Sequence, residues 1–249
     1  MFSWSPISGN IWTGKGQSTP LFADVVGKEL SEGKMLIDAA KVASVKGTIW
    51  SGLAHANKIS GGNYSLVGHW GGKAQVSEYG RASGVPFFDV QAGFYASNFL
   101  GNSSLFVKEP NGTYVLPWLV RPTTVVPLID MDNDYGLYRR HHGRGDRFPK
   151  VPAYAVVSLV NTQPLQVTGK KIVFKQITTE DATNNFIASG IPPATAADLV
   201  EGMQFWDKFG YYGGRASNRE GLAQPTRTFI SFAQGVDWSK ILVLSRLMF

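Results

Sequence analysis

Between residues 24 and 91 the chain alternates helix, strand, helix, strand, and this order limits the fold more than any other feature. Residues 24–42 read as a helix. Val26, Leu30, Gly33, Ile37 and Ala40 recur at spacings of three and four, with Lys28, Glu32 and Lys41 at polar positions. The run Val45, Lys46, Gly47, Thr48, Ile49, Trp50, Ser51 is short, apolar and β-branched, as a buried strand requires. Residues 71–83 then read as a second helix and residues 85–91 as a second strand. Strands separated by helices pair in parallel, so an open, mainly parallel α/β sheet is expected.

After Gly93 the rhythm changes. Short strands are expected at 113–116, 124–129 and 171–175, and helices at 179–189, 194–209 and 228–234. The proline pair at 192 and 193 and the run Thr179, Glu180, Asp181 mark two helix starts. This half reads as a small α+β lobe built onto the sheet. With no internal repeat or low-complexity linker, residues 1–249 are expected to form one structural unit. Its parts are a sheet lobe over about 1–135, a loop over 139–167 and a C-terminal lobe over about 168–249.

Composition removes several functions. Of 249 residues 43% are hydrophobic and 17% charged, which excludes a disordered polypeptide. The absence of cysteine removes disulfide frameworks, zinc ribbons and thiol catalysis. With four histidines, two of them adjacent, no metal site is expected. The net charge of +6 favours loose attraction to polyanions. The only dense basic cluster, Arg139, Arg140, His141, His142, Arg144 and Arg147, is neither apolar-periodic nor capped. It reads as solvated loop, so no specific nucleic acid is expected. No apolar run approaches the ~20 residues of a membrane helix, and the start lacks the features of a signal peptide. The chain therefore reads as a soluble intracellular protein, cytoplasmic or nuclear, with no membrane partner.

Three segments carry possible chemistry. Residues 9–16 (Gly9, Gly14, Lys15 and Gly16 among them) have the spacing of a phosphate-binding loop up to the lysine, but Gly16 stands where a Mg²⁺-binding Ser or Thr is needed. They read as an irregular loop. His69 and Lys73 lie four apart, so one helix face would carry an imidazole and an ammonium. A lysine there can bind a ribose hydroxyl; the plainer reading is a surface lysine and a half-buried histidine. Gln91, Ala92, Gly93, Phe94, Tyr95, Ala96, Ser97 and Asn98 follow the second strand directly, and Ser51, Gly52 and Leu53 end the first. In open α/β sheets ligands lie outside the carboxyl ends of strands, though both segments are equally readable as ordinary βα turns.

These residues resemble the NmrA-like family, atypical relatives of the short-chain dehydrogenases/reductases. The resemblance is carried by Glu32, Gly33, Lys34, then Asp38, Ala39, Ala40, Lys41, and by Trp50, Ser51, Gly52, Leu53. It continues through His69, Trp70, Gly71, Gly72, Lys73 and through Gly93, Phe94, Tyr95, Asn98, Phe99. Later, Thr168 to Phe174 and Pro225 to Phe229 fit the same pattern. The resemblance implies a Rossmann-type domain binding NADP or NAD, closed by a small C-terminal lobe. It implies a redox-sensing regulator that signals to a partner protein such as a transcription factor. Residue by residue, it assigns cofactor contacts to Ser5, Ser51, Gly52, Leu53, Lys73, Gly93, Tyr95, Ala96, Ser97 and Asn98. His69 stands where true dehydrogenases have a tyrosine, so His69 and Lys73 would serve catalysis if the chain were instead an NAD(P)H-dependent reductase.

Two departures shape the expectation. The sequence enters at the family's fourth strand, and no Gly-x-Gly-x-x-Gly fingerprint occurs in it. Such a turn presents a helix N-terminus to the pyrophosphate. Without it, NAD(H) and NADP(H) are expected to bind weakly, and an exposed sheet edge favours self-association. Between 139 and 167 the resemblance lapses, and Pro149, Pro152 and Pro164 break any helix.

Overall fold

A computed structural model describes residues 22–101, 105–139, 153–155, 168–215, 222 and 224–243. Helix α1 (Phe22–Val42) leads to β1 (Thr48–Gly52), the short α2 (Ala56–Ile59), α3 (Gly68–Ala82) and β2 (Phe87–Gln91). β1 and β2 pair in parallel, Thr48 opposite Phe87 through Gly52 opposite Gln91. The two strands expected as parallel neighbours are therefore so.

α1 buries a stripe at i, i+4 and i+8: Glu29, Gly33 and Ile37. It packs on α3 at close range. A Cβ on Gly33 would lie 2.6 Å from Val76 Cγ2, and one on Gly72 would lie 3.2 Å from Val26 Cγ1. The outer rim is polar, with the Tyr79 hydroxyl donating to Asp38 Oδ1 at 2.6 Å. α1 ends in a Schellman turn: Val45 N–H donates to Ala40 O and Ser44 N–H to Lys41 O, both at 3.1 Å. Ser44 occupies the left-handed position, φ 50°, which usually falls to glycine.

Beyond β2 come β3 (Phe94–Tyr95), α4 (Asn98–Gly101), β4 (Val107–Lys108), β5 (Tyr114–Trp118), β6 (Val125–Ile129) and α5 (Met131–Arg139). They are followed by β7 (Ala153–Ala155), β8 (Ile172–Gln176), α6 (Thr179–Ala188), α7 (Pro193–Phe209), α8 (Phe229–Gln234) and α9 (Trp238–Val243). Every strand and helix expected from residue 113 onward is found within a few residues. α5 was not anticipated, and the loop expected over 139–167 is corrected in one place. Ala153–Ala155 forms β7, antiparallel to β6, because β6 would otherwise leave one edge of backbone donors and acceptors unpaired. Arg139, expected as loop, ends α5 instead, and the rest of that segment, with Arg140 to Arg147, lies outside the described residues.

The described strands form three small sheets rather than one: β1–β2, β3–β6–β7 and β4–β5–β8. β3–β6 and β5–β8 are parallel, and β4–β5 and β6–β7 antiparallel. α6 opens with a capping box, in which Thr178 Oγ1 accepts from Asp181 N–H and Asp181 accepts from Thr178 N–H. The main core is aromatic and spans both halves of the chain. Trp70 of α3 meets Phe205 and Trp206 of α7 and Tyr211 at centroid distances of 5.8, 6.0 and 4.9 Å. Phe94 meets Trp118 edge-on at 5.3 Å. The architecture is α/β of Rossmann type, with its C-terminal elements packed on the same core.

Under β1 and β2 sits a buried acid. Asp89 is 1% exposed; its Oδ2 accepts from Arg81 at 2.5 Å and from Gln91 Nε2 at 3.3 Å. Burial pushes the Asp89 carboxyl above the ordinary carboxylate range, with Arg81, Gln91 and Ser77 opposing.

Two outcomes are expected. Ser44→Gly should stabilise the fold by about 1 kcal/mol, since glycine enters the left-handed region without a Cβ penalty. A urea midpoint unchanged or lowered would contradict the Schellman geometry. The native state also binds a proton at Asp89 more tightly than the unfolded chain does. The resulting stabilisation is full below the unfolded value and lost as pH rises through the raised native value. Denaturation midpoints measured across that window should decline less in Asp89→Asn than in the parent.

Candidate cofactor site

Helix α3 sets the site, and its first turn is built unusually. The N-cap residue Val67 offers no side-chain acceptor. The amide hydrogens of Gly68 and His69 instead donate to Asp198 Oδ2 of α7, at 2.6 and 3.2 Å. Glu201 of the same helix accepts from Leu66 N–H. A carboxylate at a helix N-terminus meets both the orphan donors and the positive end of the helix dipole. Asp198 is 1% exposed, and its other oxygen contacts His69 Nδ1.

One turn on, Lys73 points to different partners. Its ammonium forms an ion pair with Glu29 of α1, the two side chains being 20% and 10% exposed. It also lies 5.7 Å from the ring centroid of Trp50 on β1. The Trp50 indole donates to Lys73 O at 3.1 Å and fixes this turn over the strand. His69 and Lys73 thus share one helix, but His69 is held by Asp198 and Lys73 by Glu29.

The strand ends meet as the sequence suggests. Ser51 lies opposite Val90 and Gly52 opposite Gln91, at the carboxyl edge of the parallel pair, with Leu53 following. The turn from Gly93 to Asn98 follows β2 and contains β3, which pairs with β6. Tyr95 pairs with Ile129 in β3–β6 and packs on Val90 and Ile129. Burial raises the Tyr95 phenol above its ordinary value, and the Glu29 charge adds to this. Glu29 therefore acts on both Lys73 and Tyr95. Ala96 N–H donates to Ile129 O at 2.9 Å, while Ser97 is exposed and Asn98 half-buried.

Two glycines have internal reasons for being glycine. A Cβ on Gly93 would lie 2.4 Å from Pro127 O, so the residue lets the turn approach β6. A Cβ on Gly52 would lie 1.9 Å from Asp89 Oδ1 and 2.5 Å from Ser77 Oγ. Close ligand approach is not needed to explain either. Ser5 and the loop from Gly9 to Gly16 lie outside the described residues.

Sequence reasoning missed Glu29, Asp198 and the Asp89–Arg81 pair. Glu29 and Asp198 share a readable signal, an acid on the buried face of an amphipathic helix. Glu29 falls on the stripe with Gly33 and Ile37. Asp198 falls between Thr195 and Gly202, both buried.

No group of three or more histidine and acidic side chains able to hold a metal occurs among the described residues. No described helix is long and apolar enough to cross a membrane.

Comparison with known proteins agrees with this geometry. The chain is 33% identical over 114 residues to the nitrogen metabolite repression protein nmrA of Emericella nidulans. That stretch is 44% of this chain and 32% of that one. It is 29% identical over 128 residues to the NmrA-like family domain-containing oxidoreductase ptmS of Penicillium ochrochloron, 47% and 38% of the two chains. The chain thus matches about a third of the length of these relatives. Among solved structures it resembles NmrA, a negative transcriptional regulator, in complex with NADP. There the TM-score is 0.62 at 22% identity, over 86% of this chain and 74% of that one. It also resembles the NADPH-dependent quinone oxidoreductase QOR2 of Escherichia coli complexed with NADPH, with a TM-score of 0.64 at 18% identity, over 84% and 72%. These likenesses carry the Rossmann-type fold, and the family model described as NmrA-like matches residues 17–141, half of the sequence. With that match added to the parallel βαβ unit and the residues along its carboxyl edge, the chain belongs to the NmrA-like family.

Proposed function

We propose that this protein is an NAD(P)-binding, redox-sensing regulator of the NmrA-like type, acting through a partner protein such as a transcription factor. The observation that carries the reading is the placement of Lys73. Its ammonium lies 5.7 Å from the ring of Trp50, two residues before the carboxyl end of β1, and open α/β sheets receive ligands outside such strand ends. In this reading Lys73 holds the nicotinamide ribose. Ser51, Gly52 and Leu53 line one side, and Gly93, Tyr95, Ala96, Ser97 and Asn98 the other, with Ser5 the remaining contact. The residues assigned fit a ribose, since they offer an ammonium, three hydroxyl side chains (Ser51, Tyr95 and Ser97) and the Asn98 amide. When bound, the dinucleotide supplies hydride chemistry; the chain supplies orientation. The regulatory reading is supported by the naming of one relative as a nitrogen metabolite repression protein and of one structural neighbour as a negative transcriptional regulator.

Affinity is set by competition. Glu29 already neutralises Lys73, so a ribose must displace a buried carboxylate to reach the ammonium. The sequence also has no glycine fingerprint to hold the pyrophosphate. Charge-assisted hydrogen bonds are worth about 1.5–3 kcal/mol each, so losing several weakens binding by orders of magnitude.

A second reading, an NAD(P)H-dependent reductase, is favoured by the His69–Asp198 pair. A carboxylate that orients an imidazole is what a proton donor requires. The two readings part on turnover.

Calorimetric titration of the 249-residue chain is expected to give dissociation constants in the high micromolar range for both NAD(H) and NADP(H), without strong preference. Lys73→Ala should abolish binding. Glu29→Gln should tighten it about tenfold, equivalent to ~1.4 kcal/mol. Sub-micromolar binding by the parent chain would refute the competition. NADPH oxidation against a panel of enones and quinones is expected to show no turnover. Turnover that disappears in Lys73→Ala would establish the reductase instead.

A further inference from the structure

On the side of α3 away from Glu29 lies a cavity that the dinucleotide reading does not use. Gly72 and Val76 of α3 face α1. Ser77, Glu78 and Arg81 face the cavity, about a third of a turn or more around the helix. Its volume is about 280 Å³, just under the roughly 300–1,000 Å³ of ordinary ligand sites. It is too small for a dinucleotide and large enough for a small metabolite. Of the described residues assigned to the nicotinamide ribose, Leu53 alone lines it.

The charges around it nearly cancel and leave one over. Lys58 Nζ pairs with Glu78 Oε1 at 3.0 Å and Arg81 with the buried Asp89 at 2.5 Å. Arg215 also lines the cavity and is close enough to act on Asp89 through its charge, but forms no ion pair among the described residues. Among the described residues, one positive charge is thus left without an ion-pair partner.

Beside it is an unmet acceptor. Gln91, 5% exposed, lines the cavity. The Gln91 amide turns its Nε2 toward Asp89 and donates to Oδ2 at 3.3 Å, the oxygen that Arg81 also meets. Gln91 Oε1 then accepts nothing among the described residues. A buried acceptor is costly to leave unmade, so an occupant that donates there is favoured.

We propose that this cavity binds a small hydroxycarboxylate, its carboxylate on Arg215 and its hydroxyl donating to Gln91 Oε1. A hydroxyl suits the site better than an ammonium, because it donates to Gln91 Oε1 without adding a second positive charge beside Arg215. A monoanion suits it better than a phosphate dianion, since one cation is uncompensated. The proposal stands apart from the dinucleotide reading, because Lys73 takes no part in it.

The test is titration of the full chain with glycerate, followed by amide chemical shifts. Saturable binding is expected, with shifts on residues 53–59 and 91. Propionate, which keeps the carboxylate and lacks the hydroxyl, should bind at least tenfold more weakly. Arg215→Gln should lose glycerate binding tenfold or more with its circular dichroism unchanged. Gln91→Met, similar in volume, should remove the preference for glycerate over propionate. Lys73→Ala should leave glycerate binding intact even where dinucleotide binding is lost. The proposal is overturned if glycerate fails to saturate, if inorganic phosphate or uncharged glycerol binds as well, or if Arg215→Gln or Lys73→Ala gives the opposite result.

Discussion

The buried carboxylate of Asp198, seated on the first turn of α3, ties the two halves of the chain together. A helix that begins against a core leaves its first amide hydrogens to find partners outside the helix. Asp198 takes two of them, and its charge at the helix N-terminus gains up to ~2 kcal/mol in a partly buried geometry. The residue that follows His69 is Trp70, 1% exposed and packed against Phe205, Trp206 and Tyr211. Cap and aromatic contact both run from α3 to the C-terminal elements, so the rotation of α3 is set from outside the βαβ unit. That rotation turns Gly72 toward α1, Lys73 toward Trp50 and Glu29, and Ser77 and Arg81 toward Asp89 and the cavity.

A cationic side chain on this helix is therefore placed by tertiary contacts and not by its spacing from His69. The sequence pattern allows an imidazole and an ammonium on one face acting together. The packed structure gives each its own carboxylate, from different helices. The same pairing sets the electrostatics of Tyr95, because Glu29 faces it as well. Charge at this edge of the sheet is balanced before any ligand arrives, and a ligand must exchange one partner for another.

Much of the fold was legible in local signals. The three- and four-residue spacing of Val26, Leu30, Gly33, Ile37 and Ala40 in α1, the β-branched run of β1 and the proline start of α7 each act within a few residues. The place of Ser51 near the carboxyl end of β1 was legible because strand ends are. What escaped was long-range. Glu29 was hidden by its neighbour Leu30, which also fits the apolar periodicity, and only the packing on α3 decides between them. Gly52 and Gly93 read as ligand contacts; the atoms that exclude a side chain there belong to Asp89 and Pro127, 37 and 34 residues away in sequence. β7 lay in a proline-bounded segment without strand periodicity, and its existence follows from the open edge of β6.

The central claim is that Lys73 exchanges its Glu29 carboxylate for a ribose. A crystal structure of the 249-residue chain soaked with NADP⁺ at millimolar concentration tests it directly. The account predicts Lys73 Nζ within hydrogen-bond distance of the nicotinamide ribose hydroxyls, with the Glu29–Lys73 contact broken. A bound dinucleotide with Lys73 still paired to Glu29, or seated away from the carboxyl edge of β1 and β2, would contradict it.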